Sequence, residues 1–151
     1  MGLKASISVK IDSGKIQGIL ARVGQAVYNG VETGAKVIQE SAQSIVPVDT
    51  GWLKDSISVE IGKGIGSMAG GGSLSSSAFS VTAQIAPHAE YAAYVEYGTG
   101  SRGAASPGAG DGPYNSSWAG MVAQPYMRPA YDENKGHVGD FIAAEVSDVL
   151  K

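Results

Sequence analysis

The sequence predicts an α+β fold: a small antiparallel sheet packed by a long N-terminal helix and a C-terminal helix, with two long glycine-rich loops. Three observations carry this. An apolar stripe at helical spacing runs from Ile16 to Ile45, period-two alternation recurs in three short stretches, and a second helical stripe runs from Tyr131 to Leu150. With 151 residues, 43% of them hydrophobic and 17% charged, the chain can bury one modest core and is not disordered by composition, so residues 1–151 are read as one domain.

The elements follow in order. Residues 5–11 alternate, with Ile7, Val9 and Ile11 opposite Ser6, Ser8 and Lys10, as a half-buried strand requires. Asp12 or Ser13 then offers a side-chain acceptor to the free amides of a helix start. The helix carries Ile16, Ile19, Leu20, Val23, Ala26, Val27, Val31, Ala35, Val37, Ile38, Ala42 and Ile45 mostly three or four apart. Thirty such residues span roughly 45 Å. Gly18, Gly24, Gly30 and Gly34 interrupt it, each costing about 1 kcal/mol relative to alanine. Two explanations are open: a kink or break around Asn29 and Gly30, or close packing of another backbone against Gly30 and Gly34. Pro47 ends the helix, because proline disfavours helical geometry at the residue before it.

Residues 54–61 alternate next, with Ile57, Val59 and Ile61 opposite Ser56, Ser58 and Glu60, and residues 78–85 resume through Phe79, Val81, Ala83 and Ile85. Between them, residues 62–77 hold six glycines and five serines, the expected tip of a hairpin. Tyr91, Tyr94, Val95 and Tyr97 predict a short helix over 90–97, ended by Gly98. Residues 98–120, with seven glycines and two prolines, read as a long irregular loop, and loops of that length are usually functional or disordered. Pro129 is placed for the first turn of a terminal helix whose stripe is Tyr131, Val138, Phe141, Ile142, Val146, Val149 and Leu150.

Several chemistries are excluded or weakened. The absence of cysteine removes disulfides, thiolate metal sites and a cysteine nucleophile. A net charge of -3 has the wrong sign for gripping nucleic acid through its phosphates. No apolar run of 18 residues exists and residues 1–10 lack the continuous apolar stretch of a signal peptide, so a soluble protein made in a cytoplasm is expected, with no membrane partner. His88 has only Glu90 nearby, short of a zinc ligand set, and His137 with Asp140 has the spacing of a solvated helix pair. No cofactor, metal or catalytic residue is expected.

Asp49-Thr50-Gly51 is the tripeptide of aspartic proteases, where paired carboxylates share a proton and activate water. A single copy would need a homodimer and a nearly all-β chain; here Trp52 follows and long amphipathic helices flank the fold. The structural alternative is a turn from helix to strand built by Pro47, Asp49, Thr50 and Gly51, with Asp49 accepting backbone bonds two residues on and Gly51 left-handed. Gly62-Lys63-Gly64-Ile65-Gly66-Ser67 resembles a phosphate loop only superficially, since its lysine is misplaced and no helix follows. Glu96, between aromatic residues, is expected to be partly shielded and ion-paired with Arg102 or Arg128, locking the base of the loop. Tyr91, Tyr94, Tyr97, Tyr114, Trp118, Tyr126 and Tyr131 make the second half aromatic, as core or as interface anchors.

Three segments, in order, resemble the phage head-to-tail joining family of gp-ten-like, minor-tail and tail-completion proteins. Val46-Pro47-Val48-Asp49-Thr50-Gly51-Trp52-Leu53-Lys54-Asp55-Ser56-Ile57 is similar to the family's Pro-x-Asp-Thr-Gly-x-Leu-x-x-Ser turn. Tyr91-Ala92-Ala93-Tyr94-Val95-Glu96-Tyr97-Gly98-Thr99-Gly100 resembles its Tyr-Ala-x-x-x-Glu-aromatic-Gly-Thr segment. Gln124-Pro125-Tyr126-Met127-Arg128-Pro129-Ala130 resembles its Pro-aromatic-x-x-Pro-Ala entry into the last helix. The resemblance implies a structural virion protein of the neck or tail: a homo-oligomeric ring around the DNA channel, between connector or head-closure proteins and tail terminator or tail tube proteins. DNA would pass without specific binding. Candidate interface residues are Glu96, Gly98, Thr99, Tyr114, Trp118, Pro125, Tyr126 and Arg128. A homodimeric aspartic protease and a small non-phage binding module are the alternatives. The chain departs from the family pattern in the length of its two glycine-rich segments.

Overall fold

A computed structural model of the chain describes residues 13–67, 77–100 and 119–151. The strand expected over 5–11, the hairpin tip at 68–76 and residues 101–118 of the long loop, with Arg102, Tyr114 and Trp118, lie outside them. The elements are α1 (Ser13–Ile45), α2 (Trp52–Asp55), β1 (Ile57–Ser67), β2 (Ser77–Pro87), α3 (Ala92–Tyr97), α4 (Met127–Asn134) and α5 (Val138–Leu150). The α+β architecture is the one expected, with helices on both sides of an antiparallel pair in the described residues.

α1 is a single helix of 33 residues, about 50 Å long. No break occurs at Asn29 and Gly30. Gly30 and Gly34 are explained by close packing instead: a Cβ on Gly30 would lie 2.6 Å from the Cα of Ile142, and one on Gly34 would lie 2.9 Å from a methyl of Val138. Residue 30 facing 142 and residue 34 facing 138 mean that α5 runs antiparallel along α1, and the absent side chains let the two backbones approach. The expected stripe does not stay buried along its length. Ala26, Ala35, Ile38 and Ala42 are buried, whereas Ile16, Ile19, Leu20 and Ile45 are exposed.

The core lies around the C-terminal half of α1, where Ile38, Ala42 and Val46 meet Leu53, Ile57, Ala89, Ala92, Val95, Tyr126 and Ala130. β1 and β2 pair from Ile57↔Pro87 to Ser67↔Ser77, and among the described residues the sheet has these two strands only. A lone hairpin is marginal in water, so its base has to be anchored elsewhere. Ile57 is buried there, Gln39 Nε2 donates to its carbonyl at 2.6 Å, and His88 N donates to Ser56 O at 3.1 Å.

Two boundaries differ from expectation. Residues 52–55 form a helical turn, so the strand expected from Lys54 begins at Ile57; it continues through Gly62 and Gly66, which the paired partner strand holds extended despite their poor strand propensity. The expected single terminal helix is two. α4 contains Pro129 in its first turn and ends where Asn134 Nδ2 bonds Ala130 O at 2.8 Å, and α5 starts after a turn at 135–137 that includes Gly136. The break lets Ala130 sit in the core while Val138 seats on Gly34; Tyr131, counted in the expected stripe, is exposed.

Candidate functional site

α3 is short, and its orientation decides the surface around it. Ala92, Val95 and Glu96 point inward, leaving Tyr91, Tyr94 and Tyr97 exposed. Tyrosine keeps its hydroxyl in water this way, while the small Ala92 and Val95 fit beneath the core. Gly98 ends the helix at a φ of 71°, a left-handed conformation natural to glycine, and a Cβ there would lie 2.6 Å from Ala123 N.

From Gly98 the chain leaves the described residues after Gly100 and returns at Ala119 beside its own departure. Thr99 N donates to Met121 O at 2.8 Å, Met121 N donates to Thr99 Oγ1 at 2.9 Å, and Gln124 N donates to Val95 O at 2.8 Å. Gly120, at a φ of 65°, has no room for a side chain against the Thr99 carbonyl. These contacts form a closed neck at the base of the 101–118 segment.

Two residues beyond the neck, Glu96 holds the start of α4. Its Oε2 accepts from Tyr126 N at 2.7 Å and Met127 N at 2.9 Å, and its Oε1 accepts from Arg128 N at 3.1 Å. Tyr126 has no side-chain cap of its own, so a carboxylate thirty residues earlier satisfies the orphan amides and opposes the positive end of the helix. The expected ion pair with Arg128 is therefore corrected: the partner is the Arg128 backbone, and its guanidinium lies 5.6 Å from the Tyr97 ring centroid. A carboxylate with 7% exposure is better served by three fixed amides than by one mobile arginine head.

Tyr126 is fully buried, and among the described residues its hydroxyl has no hydrogen-bond partner. Burial, then the neighbouring Glu96 and Tyr91, push its phenol from the ordinary 10.0 up to about 12. The unfolded chain releases this proton near pH 10 and the folded one does not, so the contribution to stability is full below pH 10 and is lost as pH rises towards about 12. Tyr126→Phe is expected to abolish that part of the alkaline loss while changing stability at neutral pH by less than about 1 kcal/mol, since no bond is broken. Urea midpoints of both proteins at neutral pH and between pH 10 and 12 check this; equal alkaline slopes would refute it.

The turn after α1 forms one wall of a groove of about 320 Å³, from Pro47 to Gly51, with Tyr91, Val95 and Met121 opposite. Gly51 has a φ of 86°, and Thr50 Oγ1 lies 3.5 Å from Trp52 N. Thr50 is thus the side-chain acceptor in the turn; the backbone bonds expected of Asp49 are not formed, and Asp49 is exposed. Val48 and Trp52 stand 63% and 62% exposed beside the groove. Of the other residues expected at an interface, Glu96, Gly98, Thr99 and Tyr126 are buried within the chain, where they build the neck and the α4 cap; Pro125 and Arg128 are exposed. Val48, Trp52 and Tyr91 were legible only as a turn and an aromatic stripe, because exposure depends on which way α3 faces.

Elsewhere, Ser58 Oγ and His88 Nε2 are 2.7 Å apart on the exposed base of the hairpin, with no described carboxylate bonded to the imidazole to complete a triad. His137 and Asp140 are 3.8 Å apart and solvated. No cluster of three metal-ligating side chains occurs among the described residues.

Residues 22–98, just over half of the chain, match the family described as "Bacteriophage HK97-gp10, putative tail-component". The chain belongs to this family. The matched region runs from the third turn of α1 through the groove-forming turn and the hairpin to Gly98, so it includes Glu96. No curated protein and no solved structure matches the chain. Membership of the HK97-gp10-like family makes it a phage tail component, and no helix among its described residues is long and apolar enough to cross a membrane.

Proposed function

We propose that this HK97-gp10-like tail component is a non-catalytic building block of the head-tail interface. It forms a homo-oligomeric ring around the DNA channel and joins connector or head-closure proteins to the tail terminator or tail tube. The observation that carries this reading is the groove between the 47–51 turn and α3, with Val48, Trp52 and Tyr91 exposed around it, in a chain of a tail-component family. Exposed aromatic side chains beside a preformed concavity are what a protein partner uses as anchors. The net charge of -3 supports passage of DNA without adhesion.

Electron microscopy of the purified chain, alone and with connector and tail proteins, tests this. Rings of fixed subunit number that join the two assemblies are expected. Monomers under every condition would refute the reading. A peptidase activity that disappears in Asp49→Asn would replace it with the dimeric protease.

A further inference from the structure

Hydrogen bonds fix the direction that β1 takes along α1. Gln43 Nε2 donates to Lys54 O at 3.3 Å and Gln39 Nε2 to Ile57 O at 2.6 Å, so the chain steps back along α1 towards Ser13 as it enters the strand. Both strands of the hairpin lie against α1. Their side chains alternate: Ile57, Val59, Ile61, Val81, Ala83 and Ile85 are buried or half-buried, and Glu60, Ser80, Thr82 and Gln84 are exposed. At roughly 3.3 Å per residue, β1 covers the length of about 22 helix residues, so on this course the hairpin reaches back to the first turns of α1. There Ile16, Ile19 and Leu20 are exposed, although they continue the stripe that is buried at Ala26, Ala35, Ile38 and Ala42.

Residues 5–11 are attached at this place. Asp12 alone separates them from Ser13, and they alternate Ile7, Val9 and Ile11 with Ser6, Ser8 and Lys10. Seven extended residues span roughly 23 Å, enough to lie back over Ile16, Ile19 and Leu20 as far as about residue 28 of α1. The groove at 47–51 is out of their reach within one chain: it is about 50 Å from Ser13 along α1, whereas twelve residues extend to about 42 Å at most. An arm that covers these residues and ends at Ser13 runs in the direction of β1 and opposite to β2. Beside β1 it would be parallel, and parallel sheets occur with both faces covered, whereas the face of Glu60, Thr82 and Gln84 is exposed. Beside β2 it is antiparallel, with one face apolar and one solvated, which suits its own alternation.

We propose that residues 5–11 form a third strand that pairs antiparallel with the outer edge of β2 and closes over Ile16, Ile19 and Leu20. The pleat puts Ile7, Val9 and Ile11 on the face of Val81, Ala83 and Ile85. Ser6 lies seven residues before Ser13, and Ser80 pairs with Gly64, seven residues beyond Ile57; each stretch is about 23 Å long, so both come level with about residues 24–28 of α1 and Ser6 falls opposite Ser80. A third strand also supplies the support that a lone hairpin lacks in water. The start of α1 is then sealed by the chain itself, and the groove at the other end is left for a neighbouring protein. The proposal holds whether or not the chain forms a ring.

The chain has no cysteine, so engineered pairs test this in the whole protein. Ser6→Cys is combined in turn with Ala78→Cys, Ser80→Cys and Thr82→Cys, which allow for a slip in either direction, and with Gly64→Cys on β1. Neighbours across an antiparallel pair are within disulfide reach, and a residue two strands away is not. Under mild oxidation at low protein concentration, a disulfide within one chain is expected in a β2 pair and not in the β1 pair, read by mass spectrometry of unreduced peptides. As a second readout, Ile7→Asp and Val9→Asp are expected to lower the urea midpoint, and Ser8→Asp to leave it unchanged. A bond with Gly64→Cys alone would put the arm on β1, bonds that link two chains would put it on another copy, and no bond in any pair would leave it unpaired. Each of these outcomes overturns the proposal, as do equal midpoints for Ile7→Asp, Val9→Asp and Ser8→Asp.

Discussion

Glu96→Ala is expected to destabilise the fold by about 3–5 kcal/mol and to lower the melting temperature by roughly 10 °C. The carboxylate accepts from three consecutive backbone amides at the start of α4, and alanine leaves all three without a partner in a largely buried place. Each buried donor left unsatisfied costs on the order of 1–3 kcal/mol, and partial access of water to the Met127 and Arg128 amides keeps the total at the lower end. Glu96→Gln retains one oxygen for Tyr126 and Met127 and should lose about half as much. Arg128→Ala removes only the contact with Tyr97, worth about 0.5–1 kcal/mol at an exposed site. Denaturant titration of the three variants gives the ranking. An Arg128→Ala loss equal to that of Glu96→Ala would mean that the side-chain ion pair, rather than the amides, carries the energy.

Gly30→Ala and Gly18→Ala are expected to change stability in opposite directions although both lie in α1. Helix propensity favours each substitution by about 1 kcal/mol. At Gly18 nothing lies within 4 Å of the new methyl, so that gain is realised. At Gly30 the methyl would meet the Cα and N of Ile142 at 2.6 and 2.8 Å, and backbone atoms have no alternative rotamer. α5 has to move away, at an overpacking cost of about 1–3 kcal/mol or more, which outweighs the propensity gain. A net loss near 2 kcal/mol is expected, read as a lower urea midpoint with an unchanged slope. Stabilisation by both substitutions would show that α1 and α5 do not pack at the described distance.

Periodicity made the large elements legible: α1 from its stripe, β1 and β2 from their alternation, and the end of α3 from Gly98. It failed where two chain segments had to be known together. Gly30 and Gly34 left both a break and a close approach open from the local sequence, and only the position of α5 decides between them. The same holds for Glu96, whose shielding was legible from its aromatic neighbours but whose partners, the amides of 126–128, have no side-chain signature. The facing of α3 was left open because tyrosines at helical spacing serve a core or an interface alike until Ala92 and Val95 are seen to fill the space beneath. The division between α4 and α5 was hidden because Tyr131 and Val138 are in phase on one ideal helix, and Gly136 is a weak marker by itself.

The neck at Thr99 and Met121 also separates what natural variation can alter from what it cannot. Its contacts hold the two ends of the intervening chain together whatever lies between them, and the entropy of closing a loop grows only with the logarithm of its length, about 0.6 kcal/mol for each doubling. The closing cost of the clasp therefore depends only weakly on the length of chain between residues 101 and 118, whereas one added methyl at Gly98 or Gly120 would force the clasp open. The strict requirement of the fold thus falls on the two ends of that stretch, where Gly98 and Gly120 have no room for a side chain, rather than on its length.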